Sequence, residues 1–137
     1  MTTKGLAGSE FRRNGKDAEH FDVIIVGARC AGSPLATLLA RAGLKVVVVE
    51  QATFPREVLS SHLMEADGLL FLKRLGVLDA VEKTGVRFMR QADTKLNDFH
   101  VVSQFPLRFD DVGGATFLRR HLLDSHLIGL AQFVYPK

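Results

Sequence analysis

Gly27, Gly32 and Glu50 are the residues of this sequence whose types and spacing point most directly to chemistry. Gly27 follows the apolar run Val23-Ile24-Ile25-Val26. A glycine there lets the backbone turn with positive φ and come close to an anion. Gly32 falls on the first turn of the helix predicted next, where a missing side chain lets helix and strand pack closely. The unsatisfied N–H groups and positive dipole end of such a helix favour phosphate. Glu50 closes a second apolar run, Val46-Val47-Val48-Val49. A carboxylate at that position accepts hydrogen bonds from ribose hydroxyls and repels a 2′-phosphate. A tight strand–helix turn with no ligand explains the glycines alone. Strand, turn, helix, strand and acid together describe a dinucleotide-binding βαβ unit. They predict the ADP half of FAD or of a nicotinamide cofactor, with NADP disfavoured by Glu50.

The neighbouring positions are less decisive. Arg29 stands where the G-x-G-x-x-G fingerprint has its central glycine. Its side chain either points to solvent or lies along the phosphates. Cys30 reads as a small packed residue of the turn, although an anion-facing turn also lowers a thiol's pKa. Gln51 is placed to help line an adenosine pocket. The five histidines show no metal-ligand spacing. His121 and His126 fall on different faces of a helix. No Ser/His/Asp nucleophile pattern is present, so no catalytic residue is named.

These residues need elements to hold them. The run at 21–26 and the run at 44–49 fit strands buried on both faces of a parallel sheet. Between them Ala31, Leu35, Leu38, Leu39 and Ala42 recur at helical spacing over 31–42. Pro34 lies in the first turn, where its missing N–H is harmless, and Gly43 suits a left-handed cap. A loop at 51–62 leads to a predicted helix at 63–75, ended by Gly76, and a short one at 77–83. Asp67-Gly68 belongs to the first of these. Residues 86–90, 96–102 and 105–109 are candidate strands. A last helix is predicted over 119–130 through Leu122, Leu123, Leu127 and Leu130.

The chain has 137 residues, the size of one domain, and 47% hydrophobic residues, as expected of a folded protein. A net charge of +3, with basic and acidic residues interspersed, argues against nucleic acid. A single cysteine rules out an internal disulfide and fits a reducing, cytoplasmic setting. No apolar run approaches the ~20 residues of a membrane span, and residues 1–20 lack a signal-peptide core. Those first residues read as a flexible extension, and residues 21–137 as a partial nucleotide-binding domain.

Further motifs carry a resemblance. They are Gly27-Ala28-Arg29-Cys30-Ala31-Gly32-Ser33, Glu50, Thr53-Phe54-Pro55-Arg56, Leu59-Ser60-Ser61-His62, Leu75-Gly76-Val77-Leu78-Asp79 and Arg119-Arg120-His121-Leu122-Leu123-Asp124-Ser125-His126-Leu127. Together they resemble the N-terminal part of FAD-dependent oxidoreductases, nearest the flavoprotein monooxygenases of the para-hydroxybenzoate hydroxylase type. Geranylgeranyl reductases and flavin-dependent halogenases share that plan. The resemblance implies an α/β fold: a Rossmann-like βαβ FAD-binding domain, incomplete, with additional β-strands. It implies that Gly27, Ala28, Ala31 and Gly32 surround the pyrophosphate and that Glu50 holds the ribose. Arg56, Ser61 and His62 would pass near the pyrophosphate and ribityl chain, and Arg120 would reach the FAD from the last helix. In that family NADH or NADPH reduces the flavin, which then reacts with oxygen.

The family's later Asp-Gly and Gly-Asp motifs are absent from this sequence. The expectation is therefore the N-terminal portion of such an enzyme, acting on an unidentified small molecule. A non-catalytic nucleotide-binding fragment and an NAD-binding module are the alternatives. An incomplete sheet also predicts self-association through its exposed edge.

Overall fold

A computed structural model describes residues 19–53, 56–105 and 113–134. The two apolar runs form β1 (Val23–Val26) and β2 (Val46–Val49), paired in parallel with Val23 opposite Val46 and Val26 opposite Val49. Valine and isoleucine are stiff at χ1 and suit the pleated backbone. Between them runs α1 (Gly32–Arg41), close to the predicted span. It ends as its sequence requires. Gly43 has φ 87°, its N–H donates to the Ala40 carbonyl at 2.9 Å, and the Leu44 N–H donates to Leu39 at 3.1 Å. This paired closure uses two carbonyls that would otherwise be orphaned at the helix end. Ala36, small enough to bring α1 near the sheet, is buried with Ile25 and Val46.

The predicted helix at 63–75 divides in two. Its first residues are a strand, β3 (Leu63–Glu65), and only α2 (Ala66–Leu75) is helical. Local periodicity does not contain the reason, which is a strand far along the chain. That strand, β7 (Ala115–Phe117), pairs antiparallel with β3, Leu63 opposite Phe117. The short helix α3 (Leu78–Glu82) follows. The candidate strand at 86–90 contracts to β4 (Phe88–Met89), which pairs with the other edge of β7.

The single strand expected at 96–102 is wrong: those residues span a turn. They belong to a hairpin of β5 (Gln91–Leu96) and β6 (Phe99–Gln104). Asn97 sits in the turn with φ 52°, a conformation that asparagine tolerates better than most residues. The strand expected at 105–109 falls outside the described residues apart from Phe105, whose N–H donates to the Arg90 carbonyl at 2.9 Å. The chain then enters α4 (Arg120–Val134). The parallel pair β1-β2, the sheet β3-β7-β4 and the hairpin β5-β6 are separate sheets.

The larger core lies among the helices. Leu69, Leu72 and Leu75 of α2 pack with Leu78 and Val81 of α3 and with Leu118, Leu123 and Leu127 at and along α4. Apolar residues at α-helical spacing on all three elements place one apolar stripe of each toward the shared centre. The opposite side of α4 meets α1, so this helix joins the leucine core to the βαβ unit.

Candidate nucleotide site

The turn after β1 is built from backbone contacts. Gly27 has φ 101°, and its N–H donates to the Val49 carbonyl at 2.7 Å, closing the ends of β1 and β2 on each other. A side chain at Gly32 would overlap the Gly27 carbonyl. That position needs glycine because helix and strand touch there. In front of Gly27, by contrast, the space where a Cβ would stand is open. Ser33 donates from Oγ to the Ala28 carbonyl at 2.5 Å, and Thr37 from Oγ1 to the Ser33 carbonyl at 2.9 Å. Both side chains are buried and brace the turn from below. α1 starts with no side-chain cap and no acid in its first turn.

Glu50 is a clamp. Its Oε2 accepts the Ala28 N–H at 2.8 Å and its Oε1 accepts the Ala52 N–H at 2.8 Å. One carboxylate thus ties the glycine turn to the loop after β2. These two backbone donors, Ala28 first, hold the carboxyl below the usual glutamate range; the charge of Arg29 adds to them and partial desolvation opposes. Each oxygen keeps acceptor capacity for a ribose hydroxyl.

Arg29 takes neither of the two positions that sequence leaves open. Its Nη1 donates to Asp124 Oδ2 at 3.1 Å, across to α4. Asp124 is fully buried and also receives Arg120, with Nη2 at 3.2 Å from Oδ1 and 3.5 Å from Oδ2. Arg120 Nε is buried and lacks a partner, a donor suited to an anion. Cys30 is exposed, which corrects the expectation of a packed residue: α1 closes on the strand through Gly32 instead.

The loop before β3 contributes His62. It adopts φ 59°, rare for a residue with a side chain. Its N–H donates to Ser60 Oγ at 3.2 Å, its carbonyl accepts the Leu118 N–H at 2.8 Å, and its Nδ1 is buried without a partner. The bond to Leu118 brings His62 to the start of α4, two residues before Arg120. Glu57, in the same loop, lies with Oε1 2.7 Å from His121 Nδ1. Gln51, Arg56 and Ser61 are exposed. The structure therefore gathers Gly27, Ala28, Gly32 and Glu50 at one turn and brings Arg120 to the same turn through Asp124. Phe54 and Pro55 of the loop motif lie outside the described residues.

A cleft of about 570 Å³ runs between β2, α1 and α4 and includes Ala28, Glu50 and Ala52 among its walls, with Val46, Ala36 and Ile128. Sequence reasoning assigned no role to Asp124, Ser33 or Ala52. Asp124 alone left a signal: it stands four residues after Arg120, between Leu123 and Leu127, in a helix whose apolar stripe leads into the core.

Open space before Gly27, an uncapped helix start, the orphaned Nε donor of Arg120 and the unpartnered ring nitrogen of His62 fit an anionic dinucleotide. Residues 20–125 match the family described as FAD binding domain. The chain belongs to the FAD binding domain family. FAD is accordingly its cofactor, and the fold is the α/β FAD-binding fold with further strands.

Squalene epoxidase 3 of Arabidopsis thaliana is 32% identical over 121 residues, 84% of this chain and 23% of that protein. A chlorinase of Pseudomonas fluorescens acting on a 1H-pyrrole-2-carbonyl-peptidyl-carrier protein is 40% identical over 63 residues, 46% of this chain and 14% of that protein. Among solved structures, a probable FAD-dependent monooxygenase of Pseudomonas aeruginosa superposes with a TM-score of 0.70 at 25% identity, over 85% of this chain and 31% of that one. The chain spans about a fifth of the length of the curated relatives it matches. Among the described residues, no helix is long and apolar enough to cross a membrane.

Proposed function

We propose that this chain is the FAD-binding part of an NAD(P)H-dependent monooxygenase in a reducing, cytoplasmic setting, acting on a small molecule whose chemistry lies outside these residues. The observation that carries the reading is the Glu50 clamp beside the Gly27 turn, a carboxylate held by two backbone N–H groups next to the open space before Gly27. In this reading residues 1–20 are an extension and 21–137 the cofactor domain. Gly27, Ala28, Ala31 and Gly32 enclose the pyrophosphate, and Glu50 takes the ribose with Gln51 beside the adenosine. Arg120 donates to a phosphate oxygen through its unpartnered Nε. Arg56, Ser61 and His62 border the ribityl side. When bound, FAD would supply the redox chemistry between a nicotinamide and oxygen. The chain's own residues bind, orient and neutralise.

One observation favours a second reading, a non-catalytic nucleotide-binding module that self-associates. Ile24 and Val26 of β1 are 68% and 85% exposed, an uncovered apolar face on the parallel pair. One purification separates the two. A yellow monomer that releases FAD on denaturation and oxidises NADH or NADPH supports the first reading. A colourless oligomer that titrates with FAD but oxidises neither supports the second.

A further inference from the structure

An arginine at the second glycine position of a pyrophosphate turn poses a steric problem. The fingerprint uses glycine there because the backbone must come close to the phosphates. Arg29 brings a long side chain to that point, so the direction of that side chain decides whether the turn stays open. In the structure the guanidinium is held 3.1 Å from a carboxylate on α4. The anchor is well placed to hold it. Asp124 is fully buried, while the Arg29 side chain is 24% exposed. An ion pair with one partner out of water is screened less than a surface pair, and leaving that partner uncompensated is costly. Arg120 lies on the same carboxylate, so the cluster of two guanidiniums and one carboxylate keeps a net positive charge beside the turn.

We propose that Asp124 is a positioning residue for the cofactor turn. Its carboxylate tethers Arg29 to α4, so that the backbone donors of the turn, rather than the guanidinium, face the pyrophosphate. The inference rests on the reading of this turn as the FAD site. It accounts for how the chain keeps a dinucleotide turn without the second glycine. It also gives α4 a role in the cofactor site before Arg120 meets the ligand itself.

The test is a double-mutant cycle on FAD affinity, read by flavin fluorescence, with Asp124→Asn, Arg29→Gly and the pair. Asp124→Asn weakens FAD binding about tenfold or more, because Arg29 is released into the turn. Arg29→Gly restores the fingerprint glycine and binds within about threefold of the parent; adding Asp124→Asn to it costs less than about threefold. An equal loss from Asp124→Asn in both backgrounds overturns the proposal, because the carboxylate then acts on the fold or through Arg120 alone.

A second readout needs neither FAD nor a variant at Asp124. In the nitrogen-15 NMR spectrum of the parent chain, the Arg29 guanidinium signal, identified by its loss in Arg29→Gly, shows slowed proton exchange. A signal exchanging as fast as free arginine overturns the tether. Failure of the parent to bind FAD sinks the proposed function instead and leaves this spectrum to decide the tether.

Discussion

Around α1 the buried apolar set is Ile25, Ala36 and Val46; around α2, α3 and α4 it is a run of leucines with Val77 and Val81. The first region carries the candidate cofactor turn and leaves Ile24, Val26 and Val49 exposed. The second carries no candidate site residue except at the start of α4 and encloses Leu69 and Val81 completely. The βαβ unit is held by backbone approach at Gly32, by the Glu50 clamp and by the Arg29–Asp124 bond. The helical region is held by side-chain volume. A turn meant to admit a ligand cannot fill itself with leucine. Its rigidity comes from hydrogen bonds and from one shared helix, α4.

That contrast is breakable, and the largest effect is expected in the helical region. Leu69→Ala removes a side chain with no exposure, and should lower the unfolding free energy by about 2–5 kcal/mol in urea titration, leaving FAD affinity of the folded fraction unchanged. Gly32→Ala drives a methyl group into the Gly27 carbonyl. It should cost about 1–3 kcal/mol of stability and also reduce FAD binding by more than tenfold, because helix and turn must separate.

Glu50→Gln keeps the shape but loses the charge and one of the two backbone bonds. FAD affinity should fall about ten- to hundredfold with a small change in stability. The pH dependence follows from the sign of the shift. A carboxyl held below its unfolded value contributes stability above the usual glutamate value of 4.5 and loses it only as pH falls through the lower, folded value. FAD titrations should therefore stay level through that usual value and weaken below it, whereas Glu50→Gln should lack this acid-side fall. At the small end, Phe99→Ser at the hairpin tip, where Phe99 is 75% exposed, should change stability by no more than about 0.5 kcal/mol.

The same division explains what the sequence disclosed. Glycine turns, valine runs and the two glycine helix ends act locally, so β1, α1, β2 and the end of α2 could be read from neighbouring residues. Gly27, Gly32 and Glu50 belonged to that local pattern, and the family resemblance extended it to Arg120. The strand β3 could not be read, because Leu63–Glu65 becomes a strand only against Ala115–Phe117. The hairpin could not be read either: its strands are largely exposed on both faces, so no alternation of buried and open positions marks them. Asp124 belonged to a motif in the sequence, but its role toward the turn could not be read there. Its partner Arg29 lies in the first turn of the fold, and only folding brings α4 beside it.

The central claim is that the turn clamped by Glu50 is where FAD binds, and isothermal titration of the purified chain with FAD, in parallel with Glu50→Gln, tests it most directly. The account predicts one FAD per chain for the parent and affinity at least about tenfold weaker for the variant. Equal affinity for both, or no heat of binding with the parent, would contradict it.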